Sequence, residues 1–85
     1  MIYGAFYTAP RHEKYWNSAG LTKSLPTAKR LATRGANSHW VGTIRLVVSE
    51  DGNVWEADAT GDWRPGSPIP EWEAKRWIRF AKTSK

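Results

Sequence analysis

Cysteine is absent from the 85 residues, and methionine and histidine are scarce, with one and two copies. Without a thiol the chain can form no disulfide, thiolate nucleophile or cysteine-ligated metal site, which fits a reducing cytoplasm. His12 and His39 are far apart in sequence, and neither sits in a metal-binding spacing such as His-Glu-x-x-His. A His12–Glu13 acid/base pair fails on geometry, because neighbours in an extended segment point apart. Asp51-Gly52-Asn53 has the flavour of a calcium loop but lacks the further ligands and the distal glutamate. There is no Walker loop, nucleophile elbow or dinucleotide fingerprint. No apolar run approaches a membrane span, and the first residues, MIYGAFYTAPR, lack the charged and apolar regions of a signal peptide. These absences lead us to expect a soluble, cytoplasmic, non-enzymatic protein that uses no cofactor and no metal.

A chain of this length forms one domain, here residues 1–85, and buries only about 60–65% of its unfolded surface. Most of its apolar groups are then needed for a single core, with little left for a deep catalytic pocket. What the chain does have is tryptophan, six copies, and a formal charge of +5 that is unevenly spread. Arg11, Lys14, Lys23, Lys29, Arg30 and Arg34 outnumber Glu13 in residues 11–34, and Lys75, Arg76, Arg79, Lys82 and Lys85 meet no acid in residues 74–85. Between them, Arg45 and Arg64 face seven carboxylates: Glu50, Asp51, Glu56, Asp58, Asp62, Glu71 and Glu73. Basic outer segments around an acidic centre suit either a polyanion surface or charge-complementary contact between copies of the chain.

Residues 43–59 read as a β-hairpin. Asp51-Gly52 tolerates the two positive φ angles of a type I′ turn. A two-residue loop then pairs Glu50 with Asn53, Val48 with Trp55, Leu46 with Ala57 and Arg45 with Asp58. That register gathers Ile44, Leu46, Val48, Trp55, Ala57 and Ala59 on one apolar face. A three-residue loop with a bulge would set Leu46 against Glu56 and Ile44 against Asp58, mixing charge into that face, and is rejected on this ground.

Residues 2–9 alternate large and small side chains up to Pro10 and predict a third strand. Residues 11–23 predict a long loop, with a short strand around residues 14–17 as its one regular stretch. Ser24 as N-cap and Pro26 in the first turn open a helix whose stripe is Leu25, Ala28, Leu31, Ala32 and Gly35, stopped by Gly35 or Asn37. Residues 61–70 are too rich in glycine and proline for regular structure in their middle. Residues 71–82 predict a second helix that buries Ala74, Trp77, Ile78 and Ala81, with Phe80 at the margin and acids and bases at the favoured ends of its dipole. The order is β-α-β-β-α. We expect an α+β fold, a two-layer sandwich in which a three-stranded antiparallel sheet carries both helices on one face.

Trp72 lies nearly opposite Ala74 and Ala81 on the second helix, on the outer side with Arg76 and Arg79. An exposed indole among arginines, with Lys82 beyond, stacks on a base while the cations take phosphates. The competing reading folds Trp72 over Ile69 and Pro70 as a staple, with Arg76 stacked on it. Lys29, Arg30 and Arg34 form a second basic cluster, either phosphate contacts or a solvated helix face. If the two helices pack on the same side of the sheet, their patches merge. Tyr15 and Trp16, beside Arg11 and Lys14, either stack on bases or cap the core. Trp55 is assigned to the core, with Trp40 and Trp63 bracketing the sheet edge.

The size, the β-α-β-β start, the run Thr27-Ala28-Lys29-Arg30-Leu31-Ala32 and Trp40-Val41-Gly42-Thr43 before the Asp-Gly hairpin resemble the small accessory proteins encoded by bacteriophages. The resemblance covers residues 2–60 and implies action by binding, to DNA or to a host protein. Two readings follow for the site residues Lys29, Arg30, Arg34, Trp72, Arg76, Arg79, Lys82 and Trp16. In the first they bind nucleic acid, DNA or RNA, with weak sequence preference. In the second they dock on a host protein, since Trp and Arg dominate such interfaces. A third reading is a homodimer through the hairpin edge, acidic stripe against basic stripe.

Overall fold

The computed structural model describes residues 1–8, 16–37, 44–58 and 61–83. The elements are β1 (Tyr3–Thr8), β2 (Asn17–Thr22), α1 (Leu25–Asn37), β3 (Ile44–Ser49), β4 (Val54–Ala57), β5 (Trp63–Pro65) and α2 (Glu71–Thr83). The α+β class is as expected, but the sheet has five antiparallel strands rather than three, in the order β2-β1-β3-β4-β5. Both extra strands are edges. The β2 strand falls in the expected loop, and its small and polar residues pair with β1 while both helices pack against it. The β5 strand is three residues long and ends in Pro65, which an edge tolerates because an outward N–H has no ladder partner to lose.

The hairpin adopts the register rejected above. Leu46 pairs with Glu56 and Arg45 with Ala57, and Ser49 N–H donates to Asn53 O at 2.9 Å, so Glu50, Asp51 and Gly52 form a three-residue loop. A type I′ turn needs positive φ at Asp51 and Gly52, and of the two only Gly52, at 100°, has it. Asp51 instead closes the loop with its carboxylate, which accepts from the Ser49 hydroxyl and the Asn53 amide. A Cβ at Gly52 would stand 2.3 Å from Ile69 O, because the segment entering α2 lies across the turn and Ile69 N–H donates to Gly52 O at 3.0 Å. The charges that argue against this register are harmless, since Glu56 is exposed and the half-buried Asp58 is paired with Arg64.

The two helices lie on opposite faces of the sheet, not on one. Side chains alternate along β1, so Tyr3, Ala5 and Tyr7 face one way and Gly4, Phe6 and Thr8 the other. On the first face α1 approaches so closely that a Cβ on Gly35 would stand 2.4 Å from the Tyr7 ring. Its buried residues are Ala28, Ala32 and Ala36, a ridge of methyl groups against Ala5 and Val47. Ser24 caps it as expected, with its carbonyl accepting from Ala28 N–H at 2.9 Å and its hydroxyl from Thr27 N–H at 3.4 Å. On the second face Phe6, Leu46, Val48 and Val54 meet Ala74 and Ala81 of α2, and the Phe6 ring contacts Trp77 at 4.8 Å and Phe80 at 5.9 Å.

The new register also moves two hairpin residues. Trp55 and Ala57 share the α1 face with Arg45 and Val47, away from Leu46 and Val48. Trp55 is half-buried there, edge-on to Tyr3 at 5.9 Å. Both helices pack mainly on β1, β2 and β3, so the β4–β5 end of the sheet extends past them. No helix among the described residues is long and apolar enough to cross a membrane.

Candidate nucleic-acid interface

The shifted register builds a row across three strands on the α1 face. Arg45 on β3 pairs with Ala57 on β4, which pairs with Trp63 on β5. The small methyl of Ala57 lets its two large neighbours meet, and the Arg45 guanidinium lies 5.6 Å from the Trp63 ring centroid. That guanidinium is held on three sides. Its Nη1 donates to Thr33 Oγ1 of α1 at 2.9 Å and its Nη2 to Asp58 O at 2.9 Å, leaving Arg45 only 8% exposed. Thr33 in turn donates to Lys29 O at 2.9 Å. One buried cation therefore fixes α1, the end of β4 and the Trp63 ring relative to one another.

From the helix side Lys29 reaches over the same ring, its Nζ 5.8 Å from the centroid. Between α1 and β5 lies a concavity of about 470 Å³ lined by Lys29, Arg30, Thr33, Arg34, Asn37 and Trp63. These lining residues include three cations and no carboxylate; the nearest acid in sequence, Asp62, is exposed beside Trp63. Among the described residues Arg30 bonds a neutral hydroxyl, with Nη2 donating to Thr27 Oγ1 at 3.3 Å, and no carboxylate. A cleft that sets three cations beside an aromatic ring can take a phosphate chain along its rim and a base against its wall.

The expected residues do not form one site. Lys29, Arg30 and Arg34 come together on α1, whereas Trp72, Arg76, Arg79 and Lys82 lie on α2 across the sheet, so the two patches do not merge. Trp72 is 60% exposed, and the Arg76 guanidinium sits 5.9 Å from its ring centroid. It combines features of both readings, an exposed indole with an intramolecular cation over it. Lys75 pairs with Glu71 at 3.2 Å, while Arg79 and Lys82 form no ion pair among the described residues. Trp16 follows the capping reading, packed against the core cluster and edge-on to Trp77 at 5.8 Å, so it is not a free stacking surface. Arg11, His12, Glu13, Lys14, Tyr15, His39, Trp40 and Ala59 lie outside the described residues.

Trp63 is the residue that sequence reasoning placed at the sheet edge without giving it a role. Its place in the cleft depends on Arg45 facing Ala57 instead of Asp58, so the signal was in the register of the hairpin. A larger concavity, about 680 Å³, lies on the α2 face over Leu46, Val48 and Val54. Its charged lining residues are Glu56, Asp58, Glu73 and Arg64, with Arg64 paired to Asp58 at 2.9 Å, so it repels a polyanion. Among the described residues no cluster of histidine, aspartate or glutamate is arranged to hold a metal.

Comparison of the chain with protein-family models, with curated proteins and with solved structures finds no match.

Proposed function

We infer that the protein binds single-stranded nucleic acid, in the cytoplasm and without catalysis, through the cleft between α1 and β5. The observation that carries this reading is a half-buried tryptophan ring flanked by Lys29 and Arg45, in a cleft that Arg30 and Arg34 also line and that no carboxylate lines among the described residues. Lys29, Arg30 and Arg34 neutralise phosphates, and Trp63 stacks on a base. Stacking requires an unpaired base, so a single strand is preferred to a duplex, and any base offers a π-face, so sequence preference is weak.

The test is a salt titration of binding to a fluorescent single-stranded oligonucleotide. Three neutralised phosphates give a slope of log affinity against log salt of about −2. Arg34→Ala lowers the steepness by about 0.7, and Trp63→Ala weakens binding by about 1–3 kcal/mol at every salt concentration. A complex indifferent to salt would remove this reading.

One observation favours a second reading, in which the chain is a phage-type accessory protein that docks on a host protein. Among the described residues Trp72 is the most exposed large apolar side chain and has Arg76 beside it, the pair of residue types that most often anchors protein interfaces. In that case Trp72→Ala costs about 2 kcal/mol or more against the partner, and binding to oligonucleotides is absent.

A further inference from the structure

We propose that one copy of the chain holds two nucleic-acid strands at once, one on each face of its sheet. This rests on the nucleic-acid reading above and adds a second site and a bridging activity to it.

The two faces carry matching sets of side chains. On the α1 face Trp63 accompanies Lys29, Arg30 and Arg34; on the α2 face Trp72 accompanies Arg76, Arg79 and Lys82. Each set is one indole with three cations; the first lies in the cleft between α1 and β5, the second on the outer side of α2. The α2 set is the more open of the two, with Trp72, Arg76, Arg79 and Lys82 all exposed. Lys75 does not join it, because Glu71 holds its ammonium group.

The two sets lie on opposite faces of the sheet, with α2 between the second set and the sheet. Phosphates on opposite faces of the sheet that lie more than a screening length apart, about 8 Å at physiological ionic strength, repel each other little. Charge also keeps the sites separate around the β5 edge. Glu56, Asp58 and Glu73 line the α2-face concavity with Arg64, which Asp58 pairs, and Asp62 is exposed beside Trp63, so a phosphate chain is not led from one face to the other by that route. Each face takes its own strand, and the protein acts as a connector between strands.

The test uses a biotinylated single-stranded 12-mer on a surface and a fluorescent 12-mer in solution, joined only by the full-length protein. The wild-type chain retains the fluorescent strand, and its complex in solution has the mass of one protein with two strands. The α1-face variant Arg30→Glu/Arg34→Glu and the α2-face variant Arg79→Glu/Lys82→Glu change exposed side chains only. Each still binds one strand but loses co-capture at least tenfold. Saturation at one strand per protein without co-capture overturns the bridging proposal and leaves the single-strand reading standing. Co-capture by a complex of two proteins with two strands overturns it in favour of self-association. No binding of either strand at low salt removes the function and the bridging together.

Discussion

The α1 and α2 faces of the sheet are both covered by a 13-residue amphipathic helix, yet they are built from opposite materials. Under α1 the contact is a ridge of alanines with Gly35, and polar bonds from Arg45 to Thr33 and Asp58 tie the layers together. Under α2 the contact is aromatic, with Phe6, Trp16 and Trp77 edge to face and Leu46, Val48 and Val54 around them. Small residues bring α1 down to the sheet, so its cations reach the neighbouring edge strand and form a cleft with Trp63. Large rings fill the space beneath α2, and its cations and Trp72 stay on an outer surface. The first face is thus a shaped site and the second a decorated helix.

Three substitutions sharpen that contrast. Phe6→Ala removes a fully buried ring from beneath α2 and is expected to destabilise the fold by about 4 kcal/mol, measured by urea denaturation. A cost below about 1 kcal/mol would mean that the α2 face is not a close-packed core. Arg45→Ala deletes two bonds from a buried cation and its contact with Trp63, for about 3 kcal/mol. It should also weaken strand binding, because Trp63 loses one of the groups that orient it; normal affinity in a folded variant would show that Arg45 serves stability alone.

The smallest effect belongs to the turn that joins β3 to β4. The Ser49 hydroxyl, with the Asn53 amide, holds the Asp51 carboxyl below its ordinary value. A depressed pKa contributes stability above the unfolded value of about 3.9, and that contribution is lost as pH falls through the folded one. The urea midpoints of wild type and Asp51→Ala should therefore differ slightly at pH 6, and the gap should narrow as the pH falls below the unfolded value and Asp51 takes up its proton in the folded state. A gap that persists in acid would assign the effect to loop geometry and not to the charge.

Much of the fold was legible in the residues. Ser24 and Pro26 mark the start of α1, and the apolar spacing of Ala74, Ile78 and Ala81 marks the buried side of α2, because caps and periodicity are local signals. The hairpin strands were legible, but their pairing was not. Asp-Gly suits a two-residue loop and equally a three-residue loop that ends in a left-handed glycine, and the argument for the first rests on keeping Glu56 and Asp58 out of a face taken to be covered throughout. That face is open at its β4 end, so the penalty does not arise. The one-residue shift moved Trp55 and Ala57 to the other side, where with Val47 they give the sheet two apolar faces and room for a helix on each. The β2 and β5 strands were hidden because an edge strand need not be apolar or long. The basic faces of the helices could be read from sequence; that they point apart, and that Trp63 lies beside one of them, follows only from the pairing.

The most direct test of this account is the response of the tryptophan indole N–H resonances to a short single-stranded oligonucleotide, with each peak assigned by substitution. Trp63 should shift first, Trp72 should follow as a second strand binds, and Trp16 and Trp77, packed in the core, should stay in place. Shifts at Trp16 and Trp77 with none at Trp63 would contradict the account and move the binding surface away from the α1–β5 cleft.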